Sequence, residues 1–178
     1  GPRFDDPAGE EVLAEFLAQS PAPHPIHPGS YIYVHKSLSE AVHSLSVELW
    51  IRPWYISETQ AILSQYDHPD QCSLALMVNA KGQIVFYLGD GGKYHADGEH
   101  ISPAKSLHVP QPKGPLNIRW QHLVAVWDGQ VKRIYVDGRK VAEWRWEGKV
   151  NWSAVPLRWG AAGEAGKASR FLDADLAM

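Results

Sequence analysis

The sequence predicts an all-β fold, an antiparallel β-sandwich with a short N-terminal helix. Two Asp-Gly pairs, Asp128-Gly129 and Asp137-Gly138, separate three runs rich in Val, Ile, Tyr and Trp. Such residues fit a half-buried pleated surface, and an Asp-Gly pair between them favours a tight hairpin, since a type I′ turn needs positive φ at both central residues. The sequence therefore predicts a three-stranded meander, with strands at Trp120–Trp127, Val131–Val136 and Val141–Trp146.

Alternation of apolar and polar residues predicts further strands on both sides of the meander. The clearest is Ser44–Arg52, where every second residue from Leu45 to Ile51 is apolar. The others are Ser30–His35, Ala61–Tyr66, Ser73–Asn79, Gln83–Leu88, Leu157–Gly160 and Phe171–Met178. Roughly ten or eleven short strands with turn signals are typical of a sandwich or jelly roll. The expected core residues are Leu49, Ile51, Leu76, Phe86, Val124, Val126, Ile134 and Val136.

Residues 1–29 are predicted to form a helix and a connector outside the sandwich, which then spans residues 30–178. Asp6 followed by Pro7 is a helix start signal, an N-cap residue with proline at the first helical position. Four apolar residues between positions 12 and 17 recur at helical spacing, so a helix is expected over Pro7–Gln19. Ser20–Gly29 contains four prolines and is expected to be extended.

Composition argues against two kinds of partner. The chain has 178 residues, enough for one domain with a sizeable core, and its 17 basic and 20 acidic residues form no basic stripe. We therefore expect no nucleic-acid partner, because nucleic-acid binding rests on neutralising phosphates. We also expect no membrane partner, since no apolar run approaches the roughly 20 residues of a membrane helix.

The single cysteine bears on location. Cys72 has no second cysteine with which to form an internal disulfide, and disulfides are a common mark of secreted proteins. We expect a cytoplasmic location, with an extracellular one as the alternative.

The order of these segments resembles that of laminin-G-like domains. Residues 122–129 read His-Leu-Val-Ala-Val-Trp-Asp-Gly and residues 133–138 read Arg-Ile-Tyr-Val-Asp-Gly, similar to the central signature of that group. Ser44–Pro53 resembles its early core strand, and Leu157–Ala161 and Phe171–Leu176 resemble its closing strands. The resemblance implies the concanavalin A-like lectin and glucanase fold. Domains of this kind normally continue past the last strand, so the chain is expected to be a fragment of a longer protein.

A shorter stretch resembles a second family. Residues 26–34, IHPGSYIYV, following a proline-rich stretch, look like the entry to the laminin-G-like domain in large subunits of N,N-dimethylformamidase-type amide hydrolases. That resemblance implies an accessory module that packs against other domains or subunits of an amide hydrolase. The iron cofactor of such a parent would lie elsewhere, because none of its ligands can be placed in this chain.

No motif in the chain indicates catalysis. The Gly-x-Ser-x-Gly elbow of α/β-hydrolases is absent. Glucanases of this fold use paired carboxylates on one strand, whereas Glu48 stands alone on its strand. Asp173 and Asp175 share a face near the chain end, where the resemblance implies a turn rather than a reaction. The sequence therefore predicts a non-catalytic binding or packing module, with no catalytic residue and no cofactor of its own.

A ligand-binding face is the strongest candidate site. Trp50, Tyr87, Arg133 and Tyr135 fall on the non-core side of their strands by alternation. Sugar-binding sites stack aromatic rings on pyranose faces and bind hydroxyls with planar polar groups, so these four residues could form a binding surface for a glycan. Contiguous exposed apolar surface usually marks an interface, so the main expectation is that another domain or subunit of the parent protein covers them. A carbohydrate-binding, lectin-like domain of a secreted protein is the alternative.

Calcium is a weaker candidate ligand. Laminin-G-like domains often bind Ca²⁺ at one rim through oxygen donors, and Asp90, Asp97 and Asn117 are possible donors by position. Asp and Asn also form turns without any metal, and the chain has no tight Asp-x-Asp-x-Asp loop. Turn formation is therefore the favoured interpretation, and no metal site is expected.

Overall fold

A computed structural model describes residues 24–26, 29–35, 37–38, 42–103, 105–111, 113–114 and 117–178. The predicted helix Pro7–Gln19 lies outside the described residues. The described residues form fourteen strands and one short 3-10 helix, Ala96–Gly98. The strands are β1 (His24–Ile26), β2 (Ile32–Val34), β3 (Leu45–Pro53), β4 (Gln60–His68), β5 (Gln71–Val78), β6 (Ile84–Leu88), β7 (Glu99–Ile101), β8 (Gln121–Trp127), β9 (Val131–Val136), β10 (Arg139–Arg145), β11 (Leu157–Trp159), β12 (Ala162–Glu164), β13 (Lys167–Ser169) and β14 (Ala174–Ala177).

Two sheets pack face to face, which confirms the predicted sandwich. Sheet A has the order β1-β14-β3-β8-β9-β10, and sheet B has the order β13-β12-β4-β5-β6-β7, with β11 joining β4 to β2. All described pairs are antiparallel except the short contact of β12 with β4. β1 lies inside the segment predicted as a connector, and it extends sheet A by pairing with β14.

The main core lies between the sheets and contains six of the eight predicted core residues. Val124 and Val126 were placed wrongly: both lie on the outer side of β8, opposite Glu48 and Ser46 of β3. The buried residues of β8 are instead Gln121, Leu123, Ala125 and Trp127. The error has a physical cause, because β8 carries apolar residues on both faces and alternation alone does not show which face turns inward.

The meander over 121–145 forms as predicted, but its two turns differ. Asp137 and Gly138 have φ of 50° and 75°, as a type I′ turn requires. At the first turn only Gly129 has positive φ, 98°. There the Asp128 carboxylate accepts the backbone N–H groups of Gln130 and Val131, at 3.0 and 2.8 Å. The same dipeptide therefore makes two turns, one set by backbone conformation and one by a side-chain cap.

Short strands within the predicted loops were missed. Residues 161–170 contain the hairpin of β12 and β13, which turns at Ala165 and Gly166 with φ of 50° and 78°. Residues 93–117 contain the 3-10 helix and β7, which pairs with β6. Each of these three strands has only three residues, too few for alternation to be recognised.

Candidate functional site

The outer face of sheet A brings polar and aromatic residues of β3, β8 and β9 into rows. Trp50 of β3 lies opposite His122 of β8, and in the next row Glu48, Val124 and Tyr135 lie side by side. All point away from the core, because their chain neighbours on each strand point into it. We call Glu48, Trp50, His122 and Tyr135 the platform.

An imidazole links the acidic and aromatic parts of the platform. The ring centroids of Trp50 and His122 are 4.8 Å apart with the planes tilted by 36°. Nε2 of His122 is 2.8 Å from Oε1 of Glu48, whose side chain is 70% exposed. The backbone N–H of His122 donates to Oδ1 of Asp137 at 2.8 Å. The carboxylate therefore has a fixed partner on one side and solvent on the other.

Beside the platform, a buried carboxylate joins β14 to β3. Oδ2 of Asp175 accepts from both Nε and Nη2 of Arg52 at 2.7 Å and from Nε1 of Trp54 at 2.8 Å. The guanidinium carbon of Arg52 lies 4.9 Å from the ring centroid of Trp120. Trp120 packs in turn with Ala177 and Trp50. Trp120 and Ala177 thus support the indole of Trp50, and the Asp175 carboxylate compensates the charge of Arg52.

Arg133 lies on the same face but is committed to an ion-pair network. Its Nη1 donates to Asp128 at 2.6 Å and its Nε to Glu143 at 3.0 Å, and Lys140 donates to the same Glu143 oxygen at 2.8 Å. The hydrogen bond from Arg133 lowers the pKa of Asp128 to about 2. The hydrogen bonds from Lys140 and Arg133 also lower the pKa of Glu143. Arg133 therefore borders the platform rather than offering an unpaired cation to a ligand.

Tyr87 is not on this face. It belongs to β6 of sheet B and is 1% exposed, with its ring centroid 5.2 Å from that of Tyr94 and 5.5 Å from that of Tyr66. Burial raises its pKa to about 12. The structure thus brings together Trp50, Arg133 and Tyr135 and separates Tyr87 from them. Alternation correctly placed Tyr87 on an outer face, but it does not show which of the two sheets a strand joins.

Sequence reasoning missed the His122–Glu48 pair and the Arg52–Asp175 pair. The partners are 74 and 123 residues apart in sequence. The regular alternation of β3 placed Glu48 and Arg52 on one face, which was the available signal. Their partners depend on the long-range register of β3 with β8 and β14, which no turn connects directly.

A lysine is buried between the sheets. Lys132 of β9 has 0% exposure, and its Nζ contacts the carbonyl oxygens of Phe86 and Gly98 at 3.1 and 2.7 Å and Nδ1 of His100 at 3.0 Å. The Trp146 ring centroid is 4.7 Å from Nζ. Burial lowers the pKa of Lys132 to about 7, against the opposing effect of nearby carboxylates. Three acceptors use all the hydrogen-bonding capacity of the ammonium, so this group is structural.

The described residues show no cluster suited to a metal ion. Among them, no group of three or more His, Cys, Asp or Glu side chains surrounds a common point. Oδ1 of Asp90 accepts the backbone N–H of Gly92 at 3.0 Å, a turn-forming role. Calcium stays the weaker candidate ligand, and the preference for turn formation stays a prediction. None of the described helices is long and apolar enough to cross a membrane.

Comparison with known proteins agrees with this architecture. The family model described as the concanavalin A-like lectin/glucanases superfamily matches residues 28–178. No curated protein matches the sequence. The fold is similar to the structure titled "NanB plus Optactamide", with a TM-score of 0.66 and 15% identity, covering 87% of this chain and 25% of that one. This chain thus spans about a quarter of that protein.

Two further structures are similar over most of their own length. The Ruminococcus gnavus IT-sialidase CBM40 bound to α2,6 sialyllactose has a TM-score of 0.58 and 11% identity, covering 83% of this chain and 88% of that one. The native heptameric SAP-like pentraxin of Limulus polyphemus has a TM-score of 0.57 and 19% identity, covering 87% and 71%. At these identities the likeness shows the fold alone.

Proposed function

The chain belongs to the concanavalin A-like lectin/glucanase superfamily, and we propose that it is a non-catalytic carbohydrate-binding module. Its binding surface would be the outer face of sheet A. The observation that carries this proposal is the platform, where the half-buried indole of Trp50 lies beside an imidazole held by the exposed carboxylate of Glu48.

The chemistry of the platform suits a pyranose ring. An aromatic face offers apolar contact to the C–H face of a sugar, and a carboxylate accepts hydrogen bonds from adjacent hydroxyl groups. Glu48 can do so without losing His122, because a carboxylate has about four acceptor positions. The matched CBM40 structure is named for its complex with sialyllactose, which supports a glycan as the ligand class here.

The relation to dimethylformamidase-type amide hydrolases stays a prediction. Neither the family match nor the three structures named above gives it support, because none is described as an amide hydrolase. The same holds for iron in a parent protein, for other domains or subunits as partners, and for the cytoplasmic location. Glycan binding at the platform has the better support and is the function we propose.

The test is glycan binding by variants that keep the fold. We expect Trp50→Ala and Tyr135→Ala to weaken binding of the best ligand from a glycan array by at least about tenfold, roughly 1.4 kcal/mol, as loss of a central aromatic anchor does. Tyr33→Ala is the matched control, because Tyr33 is an exposed aromatic residue of sheet B. Calorimetry measures affinity, and near-ultraviolet circular dichroism checks the fold. Unchanged affinity in Trp50→Ala would refute the platform.

A further inference from the structure

We propose that a cationic cleft at one rim of the sandwich binds the anionic group of an acidic saccharide, a carboxylate or a sulfate. The cleft has a volume of about 1080 Å³. It lies where the turn after β5 faces the turn between β9 and β10, and the loop of residues 105–111 forms its side. The choice of a saccharide rests on the proposed function, whereas the choice of an anion rests on the cleft itself.

Cationic side chains dominate the charged lining. Lys81, Lys105, Arg119 and Arg139 line the cleft, and the only acidic residue among its described lining is Asp137, which already accepts the His122 N–H. Lys81, Lys105 and Arg139 are exposed and make no ion pair with any described carboxylate within 4.0 Å. The whole chain carries a net charge of −3, so this local excess of positive charge opposes the average of the protein.

The inner part of the cleft is apolar. Leu107, Val109 and Val136 are buried residues that line it together with Val141. Apolar walls with a charged mouth suit a ligand that has both C–H faces and an anionic substituent, as an acidic sugar does. The volume of about 1080 Å³ is slightly above the roughly 300–1,000 Å³ of small-ligand pockets, which favours more than one sugar unit.

The side of the cleft is held in place by hydrogen bonds. The side chain of Gln121 accepts the backbone N–H of His108 at 2.6 Å and donates to its carbonyl at 2.9 Å, and Leu107 N–H donates to Gly82 at 2.8 Å. Gly82 has φ of 74°, and a Cβ there would overlap the Leu107 carbonyl. A wall fixed in this way loses little conformational entropy when a ligand binds.

The cleft and the platform are neighbours, because β8 and the two residues before it contribute side chains to both. Alternation directs Trp120 and His122 to the outer face, while Arg119 and Gln121 line the cleft. Asp137 connects the two sites, since it lines the cleft and accepts from the backbone of His122. One oligosaccharide could therefore place a ring on Trp50 and an anionic group at the rim.

The experiment compares acidic oligosaccharides with their neutral counterparts. The probes are carboxylated and sulfated oligosaccharides, each paired with its carboxyl-reduced or desulfated form, titrated calorimetrically into the full chain at two salt concentrations. We expect at least one acidic probe to bind about tenfold tighter than its neutral form, a preference that salt reduces. Lys81→Glu and Arg139→Glu should bring the ratio of acidic to neutral affinity close to one.

Lys167→Glu is the matched control, because it makes the same charge change at an exposed residue of β13, whose partner strand β12 pairs with the end of β4 remote from the cleft. It should keep the acidic preference. Equal binding of acidic and neutral probes, an equal loss in Lys167→Glu, or equally tight binding of a single-stranded oligonucleotide would overturn the proposal. If neutral probes bind in a way that depends on Trp50, and acidic probes bind no tighter, only the cleft proposal is refuted. If acidic probes bind in a way that depends on Lys81 and not on Trp50, only the platform proposal is refuted.

Discussion

The outer faces of the two sheets differ in what they expose. On sheet A, buried and partly exposed residues alternate along β8 and β9, so every second side chain reaches solvent. On sheet B, nearly every residue of β4, β5 and β6 is buried. Its outer face holds a second apolar cluster, which Tyr94 packs against. The members of this cluster are Ala61, Tyr66, Cys72, Ala75, Met77, Val85, Tyr87 and Ala162. One sheet thus has a face available to a ligand, whereas the other contributes buried surface on both faces.

The difference teaches that the same kind of residue has different roles on the two faces. Tyr135 on the outer face of sheet A is a proposed ligand contact, whereas Tyr87 on the outer face of sheet B is part of an apolar core. Substitutions on sheet A should therefore change binding more than stability, and those on sheet B should change stability more than binding.

The largest expected effect comes from exchanging the two tyrosines for alanine. Tyr87→Ala should lower the free energy of unfolding by about 3–5 kcal/mol, because it leaves a cavity under Tyr66 and Tyr94. Tyr135→Ala, on the open face, should lower it by less than about 1 kcal/mol. Urea denaturation followed by tryptophan fluorescence measures both. Tyr87→Phe is the control that keeps the ring, and it should retain most of the stability. Equal losses in the two alanine variants would contradict the comparison.

A second prediction contrasts the two sides of β9, where Lys132 points inward. Its pKa is lowered from 10.5 to about 7. Between these values the folded protein has lost this proton while the unfolded chain keeps it, so stability rises with pH. From pH 7 to 9 the rise should amount to about 2 kcal/mol. Above pH 9 the raised pKa of Cys72, about 11, acts in the opposite direction.

Urea midpoints at pH 6, 7, 8 and 9 test this contrast. Lys132→Met should lack the rise, whereas Lys149→Met, a change at an exposed lysine, should retain it. A rise of the same size in Lys132→Met would assign it to another group.

The smallest effect is expected from the outer side of β9, at the pair of Arg133 and Asp128. The pKa of Asp128 is lowered to about 2, so the pair is intact above pH 4 and is lost as pH falls toward 2. Both groups are at the surface, where salt screens the pair and its contribution is small. Asp128→Asn should slightly flatten the acid side of the stability profile, measured by thermal melts from pH 5 to 2 at low salt. If Asp128→Asn changed the pH dependence of stability as much as Lys132→Met does, the outer face of β9 would be less open than we describe.

Local signals in the sequence predict most of the fold. The regular alternation of β3 gave its face and nearly its ends, and the Asp-Gly pairs gave the meander. Long-range pairing was beyond those signals: the inward face of β8, the sheet that Tyr87 joins and the partner of Glu48 all depend on which strands meet. The candidate site was therefore predicted in part, with Trp50, Arg133 and Tyr135 on one face and His122 missing.

The contacts of Lys132 have a mechanical consequence for the sandwich. One ammonium from sheet A is bonded to a carbonyl of β6, to a carbonyl of the 3-10 helix and to the imidazole of β7. Sliding one sheet along the other by a residue would break all three hydrogen bonds and leave a buried amino group without partners. Shear between the layers is therefore resisted at one point deep in the interior. We expect the two sheets to unfold together, as a single cooperative unit, and a force applied to the outer face of sheet A to be borne by both sheets.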